Sequence, residues 1–265
     1  MRHARVIGLV GIAAAFTISA AATAVAFAQA TVTPVPDNAP VQAAPLVEKP
    51  ATWGDAKAGA AKAGTCAACH GLDGNPTDPQ YPRLAGMPER YVAHQLALFK
   101  SGERNTGMAA VMKPFADALT AQDARDLGAY FATQKAGAGV ADDSVIASGP
   151  NKDKKFFEVG QQLFHSGDKA RGIPACMACH GPVGAGNPGP AYPAVAGQQA
   201  AYVQRRLEEY RAGTTTQRDP HLFNMMATIA GKLTDEEIGA LANYVQGLHP
   251  RADEVAVGAS PAAAH

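Results

Sequence analysis

The sequence predicts an all-α protein in which one small domain occurs twice in tandem. Two observations predict it: the chain matches itself at a nearly constant offset, and within each copy the apolar residues recur at helical spacing. The length of 265 residues leaves room for one large domain or two small ones, at about 100–200 residues each. Nothing alternates with a period of two for long enough to propose a sheet.

The self-match is ordered. Thr65-Cys66-Ala67-Ala68-Cys69-His70-Gly71 corresponds to Ala175-Cys176-Met177-Ala178-Cys179-His180-Gly181 at an offset of 110. Tyr81-Pro82-Arg83-Leu84-Ala85-Gly86 corresponds to Tyr192-Pro193-Ala194-Val195-Ala196-Gly197 at 111, as do Tyr91 and Tyr202. Leu119-Thr120 and Tyr130 correspond to Leu233-Thr234 and Tyr244 at 114. The order is kept while the offset drifts by only four residues, which is the signature of a duplicated domain.

The chain opens with Arg2, His3 and Arg5, followed by an uncharged run from Val6 to Ala28 that ends in small residues. This is the pattern of a secretory leader, so residues 1–28 are expected to be a signal peptide and the mature protein periplasmic. The alternative is an uncleaved anchor, since 23 uncharged residues can span a bilayer, and it would hold the protein at a membrane. Residues 29–52 are a Pro/Ala-rich linker with no helical or strand period. The first domain is expected over 53–135, an interdomain linker over 136–152, the second domain over 153–249, and a frayed tail over 250–265.

Within each copy the elements follow in the same order. Gly54 to Gly64 and Lys154 to Ser166 supply leading helices. Val92, Leu96 and Phe99, and in the second copy Val203, Leu207 and Tyr210, lie at i, i+4 and i+7 on one helix face. Thr120-x-x-Asp123 and Thr234-x-x-Glu237 are capping boxes that start the last helices. Gly and Pro crowd the stretches after each cysteine motif, which are expected to be irregular loops.

Lys plus Arg and Asp plus Glu are equal at 23 each, which argues against a nucleic-acid partner. Aromatic residues make up only 6%, so each small domain is short of large side chains for its core. Small domains in that position need a metal or cofactor as a staple, and the protein without its cofactor is expected to fold poorly.

All four cysteines sit in the two Cys-x-x-Cys-His motifs, the attachment signature of c-type haem. Two thiols three positions apart on a helical turn each add to one vinyl group, and the adjoining imidazole reaches the iron. Cys66, Cys69, Cys176 and Cys179 are therefore expected to bind two covalent haem c groups, with His70 and His180 as iron ligands. A zinc site would want its cysteine pairs about 15–20 residues apart, whereas 106 residues separate Cys69 from Cys176. A thioredoxin-like redox pair would want a βαβ context, which is not visible here.

A second protein ligand on each iron would leave a plain electron carrier; an open face would permit chemistry on small molecules. Thioether ligation raises a haem's potential relative to a second His. Of the candidate methionines, Met112 and Met226 are the pair that the repeat matches, each eight residues before the capping Thr. They are the expected sixth ligands, with Met108 and Met225 as substitutes. His221, five residues before Met226, is the competing imidazole. The carbonyls of Pro82 and Pro193 are expected to accept from the second nitrogen of each ligand His. Trp53 is expected to pack at a domain entrance.

From Gly54 to His249 the chain resembles the di-haem cytochrome c4 family, on the attachment motifs, the Tyr-Pro-x-x-Ala-Gly stretches, the methionines before Leu-Thr, and the closing Tyr244 to His249. The resemblance implies two cytochrome c-like α domains about a pseudo-twofold with the haems near their interface. It also implies periplasmic electron carriage to a terminal oxidase, and the ligand pairs His70 with Met112 and His180 with Met226. The donors would be a cytochrome bc-type complex or a dehydrogenase. No catalytic residue is assigned. The other classes weighed are an electron-transfer subunit of a dehydrogenase complex and a di-haem peroxidase-type enzyme. The matched methionines argue against the peroxidase. A thiosulfate enzyme with a cysteine axial ligand is excluded, because no cysteine remains outside the two motifs.

Overall fold

A computed structural model describes residues 52–250. The expected signal peptide, the expected linker up to residue 51 and the expected tail from residue 251 lie outside the described residues. The first copy contains α1 (Ala56–Lys62), a 3-10 turn (Ala63–Thr65), α2 (Ala67–His70), α3 (Glu89–Ser101), α4 (Ala109–Asp117) and α5 (Ala121–Ala132). The second repeats the helix order as α6 (Phe156–Ser166), α7 (Met177–His180), α8 (Ala200–Ala212), α9 (His221–Ala230) and α10 (Asp235–Gly247). Among the described residues β-pairing is confined to three isolated bridges, so the fold is all-α as expected.

Each copy is closed by its leading helix crossing its last one, α1 on α5 and α6 on α10. The crossing is close because a glycine stands at it. A Cβ on Gly59 would lie 2.0 Å from the Asp126 carbonyl oxygen, and one on Gly160 would lie 2.1 Å from that of Ala240. The last helices begin where the sequence said. Asp123 N–H donates to Thr120 Oγ1 at 3.1 Å while Thr120 N–H donates to the Asp123 carboxylate at 2.8 Å. Thr234 and Glu237 repeat the exchange at 3.2 and 2.9 Å. These reciprocal bonds satisfy two N–H groups that a first turn would leave unpaired.

A buried carboxylate pins α1 to α5. Asp126 accepts from Asp55 N–H at 3.0 Å, Lys62 Nζ at 2.8 Å and Gln122 Nε2 at 2.8 Å. The Lys62 ammonium beside it, with these further donors, holds its pKa below the usual carboxylate range. In the second copy Arg171 does comparable work, reaching both Asp168 and Glu237 at the start of α10.

Segment 136–152, read from composition as a linker, is hydrogen-bonded along α10. Gly139 N–H donates to the Gln246 carbonyl at 2.9 Å, Gln246 Nε2 to the Val140 carbonyl at 3.0 Å, and Asp142 N–H to Asn243 Oδ1 at 2.7 Å. Backbone groups make most of these bonds, so side-chain composition could not announce them. Trp53 departs from expectation: it is 73% exposed, with one face under the Arg125 guanidinium at 5.4 Å. The entrance is instead held by Glu89, which pairs with Arg125 at 2.6 Å and accepts from Gly54 N–H at 2.9 Å.

The second copy has one continuous core running from Val159 through Leu163, Phe164 and Leu207 to Leu241 and Val245. In the first copy, Ala63 with Leu127 and Phe131 form one cluster, and Phe99 with Ala109 and Ala116 form another. A third cluster, Met87, Val92 and Ala194, joins the copies.

Gly160→Ala should force the two helices apart, an overpacking cost of about 1–3 kcal/mol at about 2–4 °C of Tm per kcal/mol for a chain of this size. Thermal unfolding of the haem-loaded protein measures it; an unchanged Tm would mean that the crossing is not closed by this contact.

Candidate metal centres

Each Cys-x-x-Cys-His motif is a single helical turn. His70 N–H donates to the Cys66 carbonyl at 3.0 Å, and His180 N–H to that of Cys176 at 3.0 Å. The four thiols are free. Burial pushes the Cys66 thiol up, and that of Cys176 to about 11. Thiols held protonated are poor ligands for a bare metal ion, and among the described residues no cluster of three or more His, Cys, Asp or Glu side chains is arranged to hold one. The same thiols can add S–H across a vinyl group to give a thioether.

The imidazoles of the two motifs meet the proline carbonyls as expected. Nδ1 of His70 lies 2.9 Å from the Pro82 carbonyl oxygen, and Nδ1 of His180 lies 2.9 Å from that of Pro193. A carbonyl oxygen can only accept, so the proton sits on Nδ1 and the lone pair on Nε2. Burial lowers the pKa of both imidazoles, against the pull of these carbonyl bonds, which favours the neutral ring. The tyrosine of each Tyr-Pro pair packs on the same ring, Tyr81 edge-on at 6.1 Å and Tyr192 tilted at 6.5 Å.

Both motifs open into a cavity. The first is lined by Cys66, Cys69 and His70, by Leu84, Leu96, Phe99, Leu127 and Phe131, and by Met108 and Met112 from the start of α4. The second is lined by Cys176, Cys179 and His180, by Phe164, Leu207, Phe223, Ile229 and Leu241, and by Met225 and Met226 from α9. Both methionines expected as ligands thus reach the cavity of their own His, and so do both substitutes. His221 is absent from the lining of the second cavity: it stands at the first position of α9, one turn and more from Met226.

The residues fit a haem. Both cavities are walled mainly by apolar side chains, which suits a flat apolar macrocycle. The two linings together hold four arginines, Arg83, Arg104, Arg205 and Arg206, against one carboxylate, Glu209. A haem carries two carboxylates of its own, which suits that cationic excess.

The sequence did not reveal how far the copies share these cavities. Met87, Tyr91, Gln95 and Tyr202 line both. His94 and Leu98 of α3 line the second cavity, while Arg205 and Glu209 of α8 line the first. The matched Tyr91 and Tyr202 were visible as a repeat, but the reach of Arg104 and His94 across the boundary left no sequence signal.

The family model for cytochrome c matches residues 56–135 and again 157–249. Cytochrome c4 of Pseudomonas aeruginosa is 41% identical over 196 residues, which cover 74% of this chain and 90% of that protein. A protein of Thiomonas intermedia described as a thiosulfate dehydrogenase electron acceptor is 37% identical over 198 residues, 74% of this chain and 82% of that one. The crystal structure of reduced recombinant cytochrome c4 from Pseudomonas stutzeri superposes with a TM-score of 0.62 at 37% identity, covering 74% of this chain and 100% of the other.

Replacing one thiol pair, Cys66→Ala with Cys69→Ala, should leave one covalent haem per chain by intact mass. It should also make the first copy, whose core is the more divided, the site of earliest proteolysis. Two haems retained, or cleavage confined to the second copy, would contradict this reading of the cavity as the centre of the core.

Proposed function

Because the chain belongs to the cytochrome c family, in its di-haem cytochrome c4 branch, and so carries two covalently bound haem c groups, we propose that it is a periplasmic one-electron carrier in which His70 and Met112 hold one iron and His180 and Met226 the other. It is an electron-transfer protein and not an enzyme. When bound, each haem supplies a one-electron Fe(III)/Fe(II) couple whose potential its axial ligands and surroundings set.

The chain's residues have three tasks. His70 and His180 present a fixed Nε2 to the iron, because Pro82 and Pro193 hold the other nitrogen. Met112 and Met226 would hold the iron from the cavity wall as soft thioether donors, which would favour the reduced state. Leu96, Phe99 and Phe131 in one cavity, and Phe164, Leu207 and Leu241 in the other, keep water away from the iron.

The observation that carries the reading is that the methionines matched by the repeat each line the cavity that holds the matched His. The leader supports export to the periplasm. Among the described residues no helix is long and apolar enough to cross a membrane, so attachment to one would rest on an uncleaved N-terminus.

The partners are redox proteins: a cytochrome bc-type complex or a dehydrogenase as donor, and a terminal oxidase as acceptor. Val111 and Phe115, both half-exposed, carry the rim of the first cavity to the surface, and a small contact there suits a transient encounter. The 37% identity to a thiosulfate dehydrogenase electron acceptor favours a second reading, a carrier bound to one dehydrogenase. Co-purification of a catalytic subunit at stoichiometric amount separates the two.

Carbon monoxide tests the ligation. The reduced protein should show no spectral change, whereas Met112→Ala and Met226→Ala should each open one haem to carbon monoxide and lower that haem's potential. If Met108→Ala or Met225→Ala does so instead, the neighbouring methionine is the ligand; if the unaltered protein binds carbon monoxide at one haem, the carrier reading fails.

A further inference from the structure

The peptide that fixes His70 is held at its other end by the second copy. The Pro82 carbonyl, which accepts from His70 Nδ1 at 2.9 Å, belongs to the same peptide group as the Arg83 N–H. That N–H donates to Gln198 Oε1 at 2.8 Å, and Gln198 Nε2 donates to the Arg83 carbonyl at 3.0 Å. Gln198 is buried, and its Oε1 also accepts from Gln199 N–H at 3.0 Å. Two N–H groups at one end of the amide and a carbonyl at the other leave it a single orientation. A continuous chain of hydrogen bonds therefore runs from His70, through one peptide, to a buried amide of the other copy.

The second site has the same peptide with a different ending. At the offset of 111, Pro193-Ala194 answers Pro82-Arg83, and Gln198 is answered by Met87. The Pro193 carbonyl accepts from His180 Nδ1 at 2.9 Å, as in the first copy. Ala194, however, packs in an apolar cluster with Met87 and Val92, and among the described residues its N–H meets no acceptor. A thioether is a weak acceptor, so Met87 cannot do for Ala194 what Gln198 does for Arg83.

We propose that Gln198 is a positioning residue for the first metal centre. By accepting from the Arg83 N–H it strengthens the Pro82 carbonyl as an acceptor, and so makes His70 the more strongly donating of the two imidazoles. The proposal rests on the haem reading of the cavities and deepens it. Hydrogen bonds in a chain polarise one another, by about 10–30% per bond. A peptide whose N–H is bonded carries more negative charge on its oxygen, which draws the Nδ1 proton and raises the electron density on Nε2. An outer partner of this kind raises ligand basicity, and a more basic imidazole favours Fe(III). The first couple is thereby lowered, and the second, whose peptide ends against Met87, is not.

Gln198→Met copies the second site's ending into the first. The ratio of reduced to oxidised first haem at a fixed potential should rise about threefold, which is about 28 mV for one electron, with the second couple in place. In the reduced protein the NMR signal of the His70 Nδ1 proton should move upfield while that of His180 stays. Met87→Gln supplies the missing acceptor and should lower the second couple by a similar factor.

The measurement is a spectroelectrochemical titration of the full holoprotein. The couples are assigned beforehand from Met112→Ala and Met226→Ala, and haem content is checked by mass. A first couple left in place, or moved only as far as the second, would make Gln198 a residue of the joint alone and overturn the proposal. Should Gln198→Met fail to retain two haems, Met87→Gln decides by itself: a lowered second couple supports the proposal and an unmoved one overturns it. Neither variant alters Met112 or Met226, so the carbon monoxide test of the carrier reading is decided separately.

Discussion

The hydrogen bond from each imidazole Nδ1 to a proline carbonyl, 2.9 Å in both copies, decides which nitrogen keeps a free lone pair. The rest of each copy is arranged to keep that nitrogen facing the cavity. The motif turn carries the ring, the following loop returns the Tyr-Pro pair to meet it, and the crossing of first and last helices closes the domain behind. Proline suits the acceptor position because it has no N–H of its own to draw its loop into another pairing. The same loop supplies the tyrosine ring that limits the imidazole's rotation, so one short stretch sets both tautomer and orientation.

Duplication preserved what the iron needs and released what surrounds it. The attachment turns, the proline carbonyls, the crossing glycines and the capping boxes all recur. Apart from Tyr91 and Tyr202, the shared wall does not: Gln95 is answered by Arg206, His94 by Arg205, Leu98 by Glu209. Gln95, His94 and Leu98 of the first copy reach the second cavity, and Arg205 and Glu209 of the second reach the first, while Arg206 lines its own. Coordination constrains a residue wherever it occurs, whereas a wall position is constrained only by its own neighbours. Divergence there gives two chemically similar centres different electrostatic surroundings without disturbing either set of ligands.

That distinction also explains what could be read from the sequence. Helical spacing around Leu96 and Leu207, the boxes at Thr120 and Thr234, and the prolines beside the histidines are local signals with a chemical reason, and the structure has them. The ordering of segment 136–152 was not legible, because backbone groups make its bonds to α10. Trp53 was misread because an aromatic residue near a domain edge suggests burial, while here Glu89 and Arg125 already hold the entrance. The reach of His94 and Arg104 into or beside a cavity of mixed parentage was invisible, since a repeat reports correspondence between copies and says nothing of contact between them.

Contact between copies is nevertheless what completes each site. Tyr202, Arg205 and Glu209 of the second copy help wall the first cavity, and Tyr91, His94 and Leu98 of the first help wall the second. The joint is held by directional bonds: Arg83 N–H donates to Gln198 Oε1 at 2.8 Å, Gln198 Nε2 returns one to the Arg83 carbonyl at 3.0 Å, and Arg83 Nε donates to the Gly197 carbonyl at 2.6 Å. A single copy alone would present these apolar and cationic surfaces to water and lose part of the exclusion that protects its iron. The tandem arrangement therefore does more than place two centres near each other, because each domain supplies part of the solvent barrier around its neighbour's cofactor.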